Sequence, residues 1–293
     1  MINKYRLSAS IFEREEEKDK IKPQKIYFLS VEGNLTEKEY FEGVSANRKI
    51  LGINALVNVE VLKRSNKDTN SAPKQVIELL EEYMRLRETS RHNLIEDIPE
   101  ELIEKYGTVF IQTYLNSPEE IPKKEKNIFE NELTKIGYNI SYRKYLHQYQ
   151  NKYDEFAILI DRDAQNHSEK NISESLEYCK SKGYKCYISN PCFEFWLLLH
   201  VSDIFQEYND KLDIIKENAR ISRHNTFISK ELSDKVHHGK SKINFKTNYL
   251  PNIDLAIERA KKFACEENDL VNKIGSNIWK LFESMRNFNP KDI

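Results

Sequence analysis

Phe156-Ala157-Ile158-Leu159-Ile160-Asp161-Arg162-Asp163 decides the fold. Five apolar residues in succession, with no polar residue among them, suit a strand covered on both faces, as in a parallel sheet. Upstream, Lys25–Val31 (KIYFLSV) is β-branched and aromatic, Glu32-Gly33-Asn34 breaks it, and Thr36-Glu37-Lys38-Glu39 reads as a capping box at the head of a helix. Leu56–Val61 alternates valines with Asn58 and Glu60, as a strand with one solvated face would. Pro73 then opens a helix. Downstream, a helix over about 172–182 is closed by Gly183, a strand runs Tyr184–Ile188, and Asn190-Pro191 start another helix with Asn at its N-cap. Strand and helix in alternation give an α/β class with a mostly parallel sheet.

Around this core, residues 1–24 read as a charged flexible arm. Residues from about 90 to 150 read as a helical insertion, with short amphipathic helices at Ile95–Tyr106 and Asn127–Ile136. The expected organisation is an α/β domain over 25–201 and a mostly helical C-terminal region over 202–293. An aromatic content of 11% excludes a disordered chain. The 46 Lys+Arg against 47 Asp+Glu leave a net charge of −1, which excludes a protein that coats nucleic acid through bulk positive charge. No apolar stretch reaches the roughly 20 residues that span a bilayer, and the first residues lack the apolar centre of a signal peptide. A cytoplasmic protein without membrane contact is expected. The four cysteines include no CxxC pair and read as buried thiols.

Three acidic positions fall where an open α/β sheet builds its site, in loops at the carboxyl ends of strands: Glu32, Asp161 and Asp163. Side chains at i and i+2 of a strand share a face, so Asp161 and Asp163 are expected to present two carboxylates to one point. Mg²⁺ or Mn²⁺ would relieve their repulsion; a solvated turn is the plainer alternative. In Cys192-Phe193-Glu194-Phe195-Trp196-Leu197-Leu198-Leu199-His200, Glu194 stands in a helix otherwise apolar up to His200. A buried carboxylate must be protonated, paired or metal-bound, and the pattern leaves a structural ion pair and a site residue equally open.

These residues also carry a resemblance. Val31-Glu32-Gly33-Asn34-Leu35-Thr36-Glu37-Lys38-Glu39-Tyr40-Phe41-Glu42-Gly43, Ile160-Asp161-Arg162-Asp163 and Ile188-Ser189-Asn190-Pro191-Cys192-Phe193-Glu194 with the helix to His200 resemble, in order, the three motifs of the RloB family, related to the AbiLii abortive-infection proteins of the Toprim superfamily. The Ser-Asn-Pro-Cys-Phe-Glu block is the most specific of the three. The resemblance implies a Toprim (Rossmann-like) core, Mg²⁺-dependent phosphodiester chemistry and a partner AAA/ABC-type ATPase in a prokaryotic anti-phage system. It further implies that Glu32 serves acid–base or metal chemistry, that Asp161 and Asp163 bind metal, and that Glu194 is the third acidic position of the site.

Two segments could meet nucleic acid, DNA or RNA. Tyr138–Tyr153 is free of acidic residues and sets Arg143, Lys144 and Lys152 among tyrosines at helical spacing; such a stripe packs on a core or stacks bases. Lys235–Lys246 contains His238, Lys240 and Lys242 around Gly239, a solvated face or a phosphate contact. Arg162, between the two aspartates, is a further candidate. The sequence thus points to a metal-dependent endonuclease, with a non-catalytic nucleic-acid sensor or regulatory subunit as the second reading; a phosphotransferase is disfavoured by the absence of a Gly-rich phosphate loop.

Overall fold

A computed structural model of the chain describes residues 23–33, 35–62, 72–88, 95, 98–136, 138, 152–223, 225–239 and 242–289. Five strands, β1 (Lys25–Val31), β2 (Val57–Val61), β3 (Glu155–Asp161), β4 (Lys185–Asn190) and β5 (Gly275–Ser276), form one sheet in the order β2-β1-β3-β4-β5. The first four are parallel and β5 is antiparallel to β4, so the fold is of the α/β class. β3 lies between β1 and β4, and its Ala157–Ile160 are buried, the outcome its unbroken apolar run requires. β2 pairs only with β1 among these strands; Val57, Val59 and Val61 are buried while Asn58 and Glu60 stay half-exposed.

The helices follow local signals. Glu169–Lys182 is capped by Ser168, whose hydroxyl accepts from the Asn171 N–H, and ends at Gly183 with φ +74°, a conformation costly for residues with a Cβ. Pro73–Glu88 starts on its proline. The expected cap at Asn190 is not formed. Asn190 is the last residue of β4, pairs with Gly275 and donates its side-chain amide to the Leu270 carbonyl at 2.8 Å, so the helix begins only at Phe193. The Thr36–Glu39 capping box is also replaced. The first helix spans Thr36–Ala46 with Leu35 at its N-cap, and the Glu39 carboxylate accepts instead from the Ile243 N–H at 2.8 Å.

Beyond β4, helix Phe193–Val201 buries Phe193 and Phe195–His200. A helix apolar on every side needs neighbours on every side, and the later chain supplies them. Ile215, Ile228, Leu232, Phe245, Tyr249, Ile253, Ile257, Ile278, Leu281 and Phe282 join the same core as Leu29, Val57 and Leu159. The packing therefore shows no boundary at 201–202. β5 comes from this late chain, and the Asn277 that follows it accepts from the Ile188 N–H and donates to the Cys186 carbonyl of β4. Cys179, Cys186 and Cys192 are buried and Cys265 is partly exposed.

Contacts divide the chain into two compact units, one of which contains residues 81–150 and the other residues 17–62, 70–80 and 151–293. In the smaller unit, helices Glu100–Tyr106, Thr108–Asn116 and Lys123–Lys135 surround Phe129, whose ring lies 4.9–5.3 Å from Tyr106, Phe110 and Tyr114. The helix Thr108–Asn116 was not legible from TVFIQTYLN, because its β-branched and aromatic residues have weak helical preference.

At the centre of the larger unit, Tyr40 packs edge-on against Phe41, Phe193, His200, Phe245 and Tyr249, with ring centroids 5.2–5.8 Å apart. His200 Nδ1 lies 3.0 Å from the Trp196 carbonyl, which can only accept, so Nδ1 carries the proton and Nε2 accepts from the Tyr40 hydroxyl at 3.0 Å. Burial pushes His200 down to about 3 from 6.5. Below pH 6.5 the unfolded chain protonates this ring while the folded chain does not, so stability is fully present above pH 6.5 and is lost as pH falls toward 3. We expect a loss of about 2–3 kcal/mol between pH 7 and 4.5 from this group. Urea unfolding against pH checks it: His200→Gln must show a shallower slope than wild type, and equal slopes would refute the assignment. A second expectation concerns Gly43, where a Cβ would stand 2.3 Å from the Phe245 ring. Gly43→Ala should destabilise by about 1–3 kcal/mol despite its better helix propensity, read as a lower urea midpoint at unchanged slope.

Candidate functional site

The carboxyl ends of β1, β3 and β4 meet through hydrogen bonds that cross the sheet. Glu32 extends β1 by donating its N–H to the Leu159 carbonyl at 3.1 Å. Its Oε2 accepts from the Asp161 N–H at 3.0 Å, and its Oε1 lies 3.4 Å from His167 Nε2. Asp161 closes β3, and its Oδ1 accepts from the Phe193 N–H at 2.8 Å. That N–H opens the buried helix, whose N-cap residue Cys192 supplies no side-chain bond. Asp161 thus caps a helix 32 residues further along the chain. Glu37, 5% exposed, accepts from the Gly33 N–H through Oε1 at 2.9 Å. A Cβ on Gly33 would stand 2.1 Å from this carboxylate, so a side chain at position 33 would displace it.

Four carboxylates, Glu32, Glu37, Asp161 and Glu194, act on one another here. Burial, then the charges of Glu32, Glu37 and Glu194, raise Asp161 well above the ordinary carboxylate range; the Phe193 N–H opposes them. Glu37 is pushed to about 7 by burial, with Glu194 and Glu32 adding and backbone N–H groups, Gly33 among them, opposing. Burial and the same acids, Glu194 and Asp161, raise the Cys192 thiol. The bond to Glu32 raises His167 above the usual imidazole value against the effect of burial. Burial and Glu194 raise Tyr249.

Asp163 is held differently. β3 ends at Asp161, so the strand alternation that would align the two side chains does not reach position 163. Asp163 sits in a turn at φ +27°, donates its N–H to the Pro191 carbonyl at 2.9 Å, and accepts from the Asn166 side chain at 2.6 Å. Arg162 is not a phosphate contact in this fold. It is 5% exposed, and its guanidinium donates to the Val271 and His167 carbonyls, which ties the turn after β3 to the late chain. His237 and His238 do not point apart as regular structure would require. They occupy a turn, His238 at φ +56°, with ring centroids 4.2 Å apart. Lys242 is exposed, and Lys152 is exposed with its ammonium 4.7 Å from the Tyr153 ring. Arg143, Lys144, Lys240 and most of the tyrosine stripe lie outside the described residues.

Sequence reasoning missed Glu37 and His167. Glu37 did leave a signal: it shares the spacing of Tyr40, Phe41 and Val44, the buried face of its helix, where an acid is as anomalous as Glu194. His167 left none, since only the turn Asp163–His167 brings its ring to Glu32. The donor set fits a hard divalent cation, being carboxylate oxygens, of which those of Glu32, Asp161 and Glu37 are each steadied on one atom by a backbone N–H. Among the described residues no three His, Cys, Asp or Glu side chains are already arranged to hold a metal ion. No helix among the described residues is long and apolar enough to cross a membrane.

The profile of a family described as RloB-like protein matches residues 27–285. No match was found among curated proteins or among solved structures. The matched span runs from β1 through the last helix, Ile278–Arg286, and includes every acidic residue of the cluster; the chain belongs to the RloB-like protein family.

Proposed function

We propose that this chain is a Toprim-type, Mg²⁺- or Mn²⁺-dependent nuclease that hydrolyses phosphodiester bonds of DNA or RNA. The observation that supports it is the cluster of Glu32, Glu37, Asp161 and Glu194, delivered from separate segments to the carboxyl ends of parallel strands, the position at which open α/β sheets bind ligands. Glu32, Asp161 and Asp163 are the residues that would hold the ion. A divalent cation there supplies charge stabilisation for the transferring phosphoryl group and a more acidic bound water. The chain's own part is positional. The Asp161 N–H and His167 hold the two oxygens of Glu32, the Phe193 N–H fixes one oxygen of Asp161, and the Gly33 N–H fixes one oxygen of Glu37. Family membership also supports a role as the effector of a prokaryotic anti-phage system working with an AAA/ABC-type ATPase. The second reading is a non-catalytic sensor or regulatory subunit on the same scaffold.

Purified protein, with and without its co-expressed ATPase, incubated with plasmid DNA and total tRNA tests the proposal. Cleavage should require Mg²⁺ or Mn²⁺ and vanish with EDTA. Glu32→Gln and Asp161→Asn should each lower the rate by at least about 100-fold. Asn is chosen at 161 because it keeps an oxygen for the Phe193 N–H, so the variant's melting temperature should stay near that of wild type. Undiminished cleavage by both variants refutes the site; nucleic-acid binding without turnover under any metal selects the sensor reading.

A further inference from the structure

We infer that the His237–His238 turn, with Lys242 and Lys246, is a landing surface for single-stranded nucleic acid, the two rings stacking on bases and the two ammonium groups meeting phosphates. The inference rests on the nuclease reading for what happens to the strand, and on its own observations for where the strand binds.

Three described backbone groups, those of His237, Gly239 and Ile243, are tied down. Asn248 donates its side-chain amide to the His237 carbonyl at 2.9 Å, the Tyr249 hydroxyl donates to the Gly239 carbonyl at 2.6 Å, and Glu39 accepts from the Ile243 N–H at 2.8 Å. The side chains are treated in the opposite way. His237 and His238 are exposed, with ring planes tilted by 59° at 4.2 Å. A left-handed His238 and a fixed backbone hold two aromatic rings toward water, an arrangement that adds nothing to the core. Nearby cations divide into used and unused. Lys235 is committed to Glu207 at 2.6 Å, whereas Lys242 and Lys246 are exposed and make no ion pair among the described residues.

The same anchors join this surface to the acids. Tyr249, whose hydroxyl holds Gly239, is close enough to Glu194 to respond to its charge. Glu39, which holds Ile243, shares the first turn of its helix with Glu37. The turn is thus anchored on Tyr249 and Glu39, residues of the same packed unit as the acidic cluster. Exposed aromatic faces with flanking cations suit unpaired bases, since every base offers a face for stacking and a duplex hides those faces.

The test is fluorescence anisotropy with the full chain in EDTA, using labelled oligo-dT, oligo-U and a duplex of equal length. His237→Ala/His238→Ala should weaken both single strands roughly tenfold or more at an unchanged salt slope, with His237→Phe/His238→Phe restoring affinity. Lys242→Ala/Lys246→Ala should flatten the salt slope by about 1.4 on a logarithmic scale. The anchors use loop backbone atoms, so these variants should melt like wild type. Wild-type affinity in the histidine-to-alanine pair, or a preference for duplex, overturns the inference. Cleavage measured in parallel separates the two ideas: variants that bind and cut as wild type leave the nuclease standing without this surface, and variants that lose binding while no form cuts leave the surface standing without the nuclease.

Discussion

The fold depends on enclosing one helix. Apart from half-exposed Glu194, Phe193–His200 is buried throughout, so this helix cannot lie on the surface of the sheet as an ordinary crossover helix does. Its first N–H is satisfied by Asp161 at the end of β3, and its last buried residue, His200, is held by Tyr40 from the helix after β1. The late chain closes the remaining sides. Sheet, site and C-terminal helices are therefore parts of one packing problem.

The same arrangement explains how like charges are tolerated side by side. Carboxylates buried together raise one another's protonation and oppose folding. Here the opposing cost is offset locally by backbone donors, the N–H groups of Gly33, Asp161 and Phe193 each pointing at a carboxylate oxygen. These donors are products of strand ends and a helix start, which ordinary side-chain changes elsewhere leave intact. The charge balance of the whole chain, near zero, conveys nothing of this separation into an acidic cluster and an exposed basic loop.

How much was legible in advance follows from the range of each interaction. The α/β class was readable because apolar runs and alternation are properties of a few adjacent residues. Glu32, Asp161 and Glu194 were readable because strand ends and an acid in an apolar helix are equally local signals. The exact helix start at Phe193 was not, because Asn190 is claimed by Leu270 and Gly275 from the distant late chain. The direction of the Asp163 side chain was not legible for a related reason: the strand stops two residues earlier, and the alternation rule stops with it. Arg162 looked available because its neighbours are acidic, while its actual partners are carbonyls, one of them at Val271.

Asn277 has a consequence of a different kind. By accepting from the Ile188 N–H through its Oδ1 and donating its amide to the Cys186 carbonyl, the side chain stands in for a further residue of the two-residue strand β5. An open edge on β4 would be a template for another chain to add a strand, the usual route from a sheet to an aggregate. A single amide blocks that route between Cys186 and Ile188, where β5 no longer pairs with β4, and it does so without the twist and length that a longer covering strand would impose on the sheet.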